Sequence, residues 1–260
     1  NGCTATAKPQ QIADQCDLIF ITTPDDQIAS VAEAIQWRKG TAVVHCSGVE
    51  SSAILLPAAE QGAFTGSFHP MQTFPGTLAG SDNNDFDNVA FSVEGDDQLI
   101  NILKDMAIEL GGWPVDIMPS DKAIYHISGF LACGAITSLM NEATQLWETI
   151  GYTREQGLRA LLPILKATVR NIESTGTTST LTGPIARGDT GTIRKHLLAI
   201  AERAPSILPI YKQISASAAN LATNNASISK SKKTEILQIL GLQEAIDVGV
   251  SVIHQKPVNS

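Results

Sequence analysis

Four side chains in this sequence have types and spacings that could move a proton or hold a developing charge: His69, Ser47, Lys122 and His126. His69 stands in Gly66-Ser67-Phe68-His69-Pro70-Met71, after a short strand-like run, with the proline read as fixing the turn beyond it. Its imidazole has an ordinary pKa suited to proton exchange near neutral pH. The plainer reading is a histidine that satisfies a loop carbonyl. Ser47, in Val44-His45-Cys46-Ser47-Gly48, could orient a ligand or His69, or could cap a helix starting near Ser51. His45 sits between apolar residues in a strand and reads as a packed core histidine. Lys122 and His126 are spaced i, i+4 and share one helix face with Tyr125 nearby. A lysine cation beside a titrating histidine could stabilise an oxyanion and supply its proton. Alternatively Lys122 is solvated, and Gly129, Cys133 and Gly134 form a helix-packing seam.

A second group lies in Leu181-Thr182-Gly183-Pro184-Ile185-Ala186-Arg187-Gly188-Asp189. Thr182 and Arg187 are candidate substrate contacts, since a guanidinium can grip a carboxylate or phosphate with two hydrogen bonds. Asp189 is either a third contact or the cap of the next helix. The Arg-Gly-Asp triplet is weak as an adhesion signal. Lys230, Lys232 and Lys233 read as a solvated helix start.

The elements that must position these residues alternate in type. Strand-like runs fall at 18–22 (LIFIT), 41–46 (TAVVHC), 64–68, 89–93 (VAFSV) and 115–117. Helical spacing falls at 27–36, 51–61 and 97–110, the last stopped by Gly111 and Gly112. This alternation predicts an α/β fold with a doubly wound, mainly parallel sheet, in which ligands bind at the carboxyl ends of the strands. Those ends carry Thr22, Thr23, Pro24 and Asp25, then Ser47 and Gly48, then His69. Their convergence is the main functional signal of the first domain, placed at residues 1–119. Residues 120–260 read as all helix. One long helix is expected over 121–150, and another from the Thr153 capping box to about Ser174, stopped by Gly176 and kinked at Pro163. Further helices are expected to Ala204 and over 207–221, 232–240 and 243–254. The loop 73–88 is long enough to suggest function.

Bulk composition excludes several classes. The 260 residues carry a formal net charge of −8, which argues against nucleic acid or an anionic membrane as partner. No uninterrupted apolar stretch reaches the roughly 20 residues of a membrane span. Four scattered cysteines, with no C-x-x-C pair, argue against a metal or dithiol site and fit a reducing, cytoplasmic setting. Each cysteine reads as a small buried hydrophobe.

Taken together, Thr23-Pro24-Asp25-Asp26, Val44 to Gly48, Gly66 to Phe74, Asp121-Lys122-Ala123-Ile124-Tyr125-His126 and Leu181 to Asp189 resemble one family. It pairs a Rossmann-like domain with a helical, 6-phosphogluconate-dehydrogenase-like domain catalogued as domain of unknown function 2520. The family is similar in layout to pyrroline-5-carboxylate reductase and deazaflavin-dependent NADP oxidoreductase. That resemblance implies NADP or NAD as cofactor, hydride transfer to or from a small oxo, imino or hydroxy compound, and a homodimer built through the helical domain. Thr22, Thr23, Pro24, Asp25, Ser47 and Gly48 would face the cofactor; Tyr125, Thr182, Arg187 and Asp189 would face the substrate. The His69-Pro70-Met71 segment also resembles prephenate dehydrogenases, where a serine on the preceding strand end and this histidine contact a ring hydroxyl. Two departures stand out. No G-x-G-x-x-G turn precedes Leu18, so the chain is expected to enter the fold near its third strand, at residues 2–6. Roughly 30–40 residues of a first βαβ unit would be missing. Gly134 stands where relatives often carry asparagine. The alternative is a non-catalytic dimeric binding or structural protein on the same fold. A Ser47 hydrolase lacks a G-x-S-x-G elbow.

Overall fold

The computed structural model describes residues 5–74 and 86–242, which divide between two compact units, Asn1–Thr137 and Ser138–Ser260. The first unit holds a five-stranded sheet in simple sequence order: β1 (Leu18–Ile21), β2 (Ala42–His45), β3 (Phe64–Pro70), β4 (Ala90–Gly95) and β5 (Trp113–Asp116). All neighbours run parallel except β3 and β4, which are antiparallel. The helices of this unit are α1 (Pro9–Gln15), α2 (Asp25–Ala34), α3 (Leu56–Ala59), α4 (Asp97–Glu109) and α5 (Lys122–Ala132).

Strand side chains alternate between the two faces, and each face meets its own helices. Ile19, Ile21 and Val43 pack with Ile28 and Ala32 of α2 and with Leu55 and Ala58 near α3. On the other face Val44, Phe68, Phe91 and Val93 pack against Leu99, Leu103 and Ala107 of α4. Phe68 and Phe91 stack with centroids 4.6 Å apart. Gly66 permits the close approach of α4, because a Cβ there would sit 3.0 Å from Leu99 and 3.1 Å from Leu103. Each fully buried leucine or isoleucine in these clusters contributes about 1.5–3 kcal/mol.

The first face changes character toward the middle of the sheet. Its aliphatic residues on β1 and β2 give way to His45, Thr65, Ser67, His69, Ser92 and Glu94. Register places His45 beside Ser67, Ser67 opposite Glu94, and His69 opposite Ser92. His45 and Ser67 are fully buried. Helix α5 lies along this polar stripe, with Lys122 bonded to Ser67, Tyr125 to His69, and Gly129 against Met71.

The second unit is helical: the C-terminal part of α6 (Gly134–Glu148), α7 (Arg154–Thr180), α8 (Gly183–Ala186), α9 (Thr190–Arg203), α10 (Leu208–Asn224) and α11 (Lys230–Leu240). Thr153 and Gln156 form the expected capping box on α7. Asp189 caps α9, and Ser229 caps α11. Ile185, Ile193, Ala219, Ala222, Ile236 and Leu240 form the main core.

Several expectations are corrected. The long helix over 121–150 breaks at Cys133, whose backbone (φ −123, ψ −66) leaves the helical region. Strand β3 runs past Phe68 through His69 to Pro70, its pairing continues as the Met71 N–H donates to the Ala90 carbonyl, and the expected turn follows, closed by the Gln72 N–H donating to the Pro70 carbonyl at 2.9 Å. Residues 51–61 form a 3-10 turn (Ser52–Leu55) and the single turn of α3. Gly176 (φ 75) interrupts α7 as expected, but helix resumes beyond it to Thr180. Helix α1, opened by Pro9, had no clear sequence signal. The segment Pro119–Glu148 is long and apolar enough by composition to cross a membrane, although no uninterrupted apolar run within it reaches that length. Cys16 and Cys133 are exposed, and only Cys46 is partly buried among the described cysteines. The expected helix at 243–254 and most of the loop at 73–88 lie outside the described residues.

Candidate active site

The carboxyl ends of β1 and β2 are tied together by Ser47. Its Oγ donates to Asp25 Oδ2 at 2.7 Å and accepts the Val49 and Glu50 N–H groups at 3.2 and 3.0 Å. The hydroxyl proton is thus committed to Asp25 and its lone pairs to backbone. Ser47 thus holds the turn after β2, with its hydroxyl directed to Asp25 and not hydrogen-bonded to His69. The helical turn near Ser51 is capped by Ser51 itself. His45 is the core histidine expected. Its Nδ1 accepts the Ser47 N–H at 3.1 Å and its Nε2 lies 3.1 Å from the Ser51 carbonyl, which assigns the neutral Nε2–H tautomer. Burial, then the Lys122 charge, hold its pKa down.

Gly48 follows at the point of closest approach. A Cβ there would fall 2.6 Å from His126 Cδ2 and 2.7 Å from His69 Nε2. The missing side chain therefore leaves the two imidazoles facing the β2 end. Their rings meet edge to face at 5.9 Å. On its other side His69 Nδ1 lies 3.2 Å from the Tyr125 hydroxyl, which also reaches the His69 carbonyl at 3.4 Å. Both contacts are satisfied if Nδ1–H donates to the tyrosine oxygen and the tyrosine O–H donates to the carbonyl. His69 then presents the Nε2 lone pair toward Gly48. Burial first, and then the nearby His126 and Lys122, push the His69 pKa down to about 4, so it is neutral at pH 7. The sequence expectation of an ordinary imidazole is corrected here. Burial raises the Tyr125 pKa, keeping that hydroxyl protonated.

Lys122 is neither solvated nor in contact with the open space beside His126. It is 1% exposed; its Nζ donates to Ser67 Oγ at 2.6 Å and lies 3.6 Å from Glu94 Oε2. The other Glu94 oxygen accepts the Ser52 N–H and hydroxyl at 2.9 and 2.8 Å. Burial lowers the Lys122 pKa, and Glu94 opposes that shift. Glu94 and Ser67 were missed as site residues. Their signal was present: Thr65, Ser67 and His69 alternate with Phe64, Gly66 and Phe68, and Ser92 and Glu94 with Phe91 and Val93.

A pocket of about 300 Å³ opens beside the imidazoles, lined by His69, Met71, Gln72, His126, Phe130 and Cys133 among others. Gly129 fits against the Met71 sulfur, where a Cβ would come within 2.5 Å. Thr22, Thr23, Pro24 and Asp25 are exposed at the β1 end, Asp25 being the first residue of α2. Thr182, Arg187 and Asp189 belong to the second unit. Arg187 is exposed, while Asp189 accepts the Thr192 N–H and hydroxyl at 3.0 and 2.7 Å, so its carboxylate serves as the α9 cap. Those bonds hold its pKa below the usual carboxylate value.

For a nicotinamide dinucleotide the fit is divided. The pocket of about 300 Å³ bordered by His69 and His126 has room for the ring end. The start of α2 does not suit a diphosphate, because Asp25 and Asp26 occupy its first turn.

The family described as "Domain of unknown function (DUF2520)" matches residues 89–218, and a Rossmann-like domain matches residues 3–70. No curated protein sequence matches the chain. Among solved structures, protein TM1727 from Thermotoga maritima is 24% identical with a TM-score of 0.67, covering 80% of this chain and 78% of its own. BF3122 from Bacteroides fragilis, a provisional NADP oxidoreductase, is 21% identical with a TM-score of 0.65, covering 78% and 75%. A pyrroline carboxylate reductase from Plasmodium falciparum, solved with NADP bound, is 13% identical with a TM-score of 0.54, covering 86% and 82%. At these identities the likeness is one of fold.

Proposed function

The chain belongs to the DUF2520 family, and on that premise we propose that it is an NAD(P)-dependent oxidoreductase acting on a small oxo, imino or hydroxy compound at the His69–His126 pocket. The carrying observation is the pocket of about 300 Å³ that both imidazoles border, with Gly48 letting the two rings pack against the β2 end. The fold shared with BF3122 and with the NADP-bound reductase supports a nicotinamide cofactor. When bound, the cofactor supplies or takes a hydride. Gly48, with Thr22, Thr23 and Pro24 at the neighbouring strand end, would flank it.

His69 Nε2 is the proton acceptor for a substrate hydroxyl, since the imidazole is neutral and its other nitrogen is engaged by Tyr125. Tyr125 fixes the tautomer by bonding both His69 Nδ1 and the His69 carbonyl. His126 faces the same space and orients the substrate oxygen or nitrogen. Lys122 stays out of the pocket: it anchors α5 to the sheet through Ser67 and Glu94, and so fixes where Tyr125 and His126 stand.

The test is a titration of NADPH, with NADH for comparison, into the full chain and its Gly48→Val variant. Saturable micromolar binding by the parent chain and its loss in a folded Gly48→Val variant is the expected result. Absence of binding by the folded parent would favour the non-catalytic reading of the same fold.

A further inference from the structure

The sheet unit is strongly acidic, and each of its cations has a place away from the pocket. Residues 1–137 contain seventeen Asp and Glu against five Lys and Arg. Lys122 is buried against Ser67 and Glu94. Lys104 pairs with Asp116 at 2.8 Å. Arg38 bonds Asp17 and the carbonyls of Ala13 and Cys16, before the amino end of β1. Lys39 lies against Gly62, at the turn that enters β3. Lys8 precedes α1, whose Gln10 bonds the backbone of Gln36 ahead of β2. Residues 75–85, which follow the pocket in sequence, contain no lysine or arginine.

Around the imidazoles the charges are few. Asp25, Lys122, His126 and His45 act on His69, and the Lys122 charge is offset by Glu94. The walls are apolar at Met71 and Phe130, with Cys133 beside them. An anionic group entering this pocket would shed water without meeting a lysine or arginine among the described residues of this unit, whose overall field repels it.

Resting on the reading of this pocket as the substrate site, we propose that its compound is uncharged or cationic at the reacting end. It is a carbonyl, hydroxyl or amine carrying a small apolar group, and not a carboxylate or phosphate. The polar groups present suit that class. An imidazole lone pair accepts a hydroxyl or ammonium proton. The methionine, phenyl and thiol surfaces cover a hydrocarbon substituent.

Three probes of one shape separate the cases: benzyl alcohol, benzylammonium and benzoate, each titrated into the full chain at neutral pH. The readouts are the Met71 methyl signal and the His69 and His126 ring signals by NMR. Saturable shifts with the alcohol or the ammonium ion, and benzoate roughly tenfold weaker or more, is the expected result. Benzoate binding as tightly as either, or no shift with any probe, would overturn the proposal. In a Cys133→Lys variant benzoate should gain several-fold; failure to gain would place the probes elsewhere and equally overturn it. A silent NADPH titration would remove the oxidoreductase reading while leaving this preference measurable.

Discussion

At neutral pH His69 carries no charge, because burial, with His126 and the Lys122 charge nearby, disfavours a second proton more than Asp25 favours it. Its pKa near 4 has a consequence for stability as well as chemistry. The unfolded chain binds the proton below about 6.5, the folded chain only near 4, so the unfolded state gains stability as the pH falls through that window. The contribution of this group is therefore intact above pH 6.5 and declines toward pH 4. Ring-nitrogen NMR of His69 should show a midpoint close to 4 in the folded protein, and a midpoint in the ordinary histidine range would remove the neutral-base role. Lys122 is subject to a different balance. Removing one partner of a buried ion pair leaves the other charge stranded, at a cost of about 3–5 kcal/mol, whereas replacing both with neutral groups of similar size costs far less. Lys122→Met should destabilise by that order in denaturant unfolding, and Lys122→Met with Glu94→Gln should recover most of the loss. Equal destabilisation of the single and double variants would mean that the pair does not act as one.

At the scale of elements, strand and helix periods in the sequence mark the sheet and most helices, because each element buries one face and the period records which. The same logic held for the capping box at Thr153 and the Asp189 cap, where a local hydrogen bond depends on residues three apart. What the sequence hid were interactions between elements. Glu94 lies on β4 and Lys122 on α5, and only the register that sets Glu94 opposite Ser67 brings them under one helix. A lysine in isolation reads as solvated, so its burial could not be seen without that partner. His69 had the same difficulty: its residue type announced proton chemistry, but its neutrality depends on burial and on charges from two other elements. The break at Cys133 was also obscured, since the apolar spacing continues across it. Strand β3 outruns its expected end at Phe68 by two residues because a proline suits a strand end as well as a turn.

The whole molecule leaves an apolar face that the described residues do not cover. On α5, Ile124, Ile127 and Leu131 are 72, 51 and 59% exposed, and their i, i+3, i+7 spacing places them in one stripe. A contiguous apolar stripe of this kind marks a surface that something else covers. The surrounding segment is apolar enough in composition for a membrane. Its geometry argues for another occupant. The break at Cys133 leaves α5 only 11 residues long, about half of what a span needs, and its first residue is a lysine held against the sheet. A second copy of the chain satisfies these constraints, since a two-fold pairing presents the same stripe to itself. The expected state is a homodimer that includes α5. Light scattering of the 27.6 kDa chain should give twice the monomer mass, and Ile124→Glu with Ile127→Glu should halve it while far-ultraviolet circular dichroism is retained. A parent chain of single mass at micromolar concentration would overturn the dimer. Binding of that chain to neutral phosphatidylcholine vesicles, lost in the double glutamate variant, would then assign the stripe to a lipid surface.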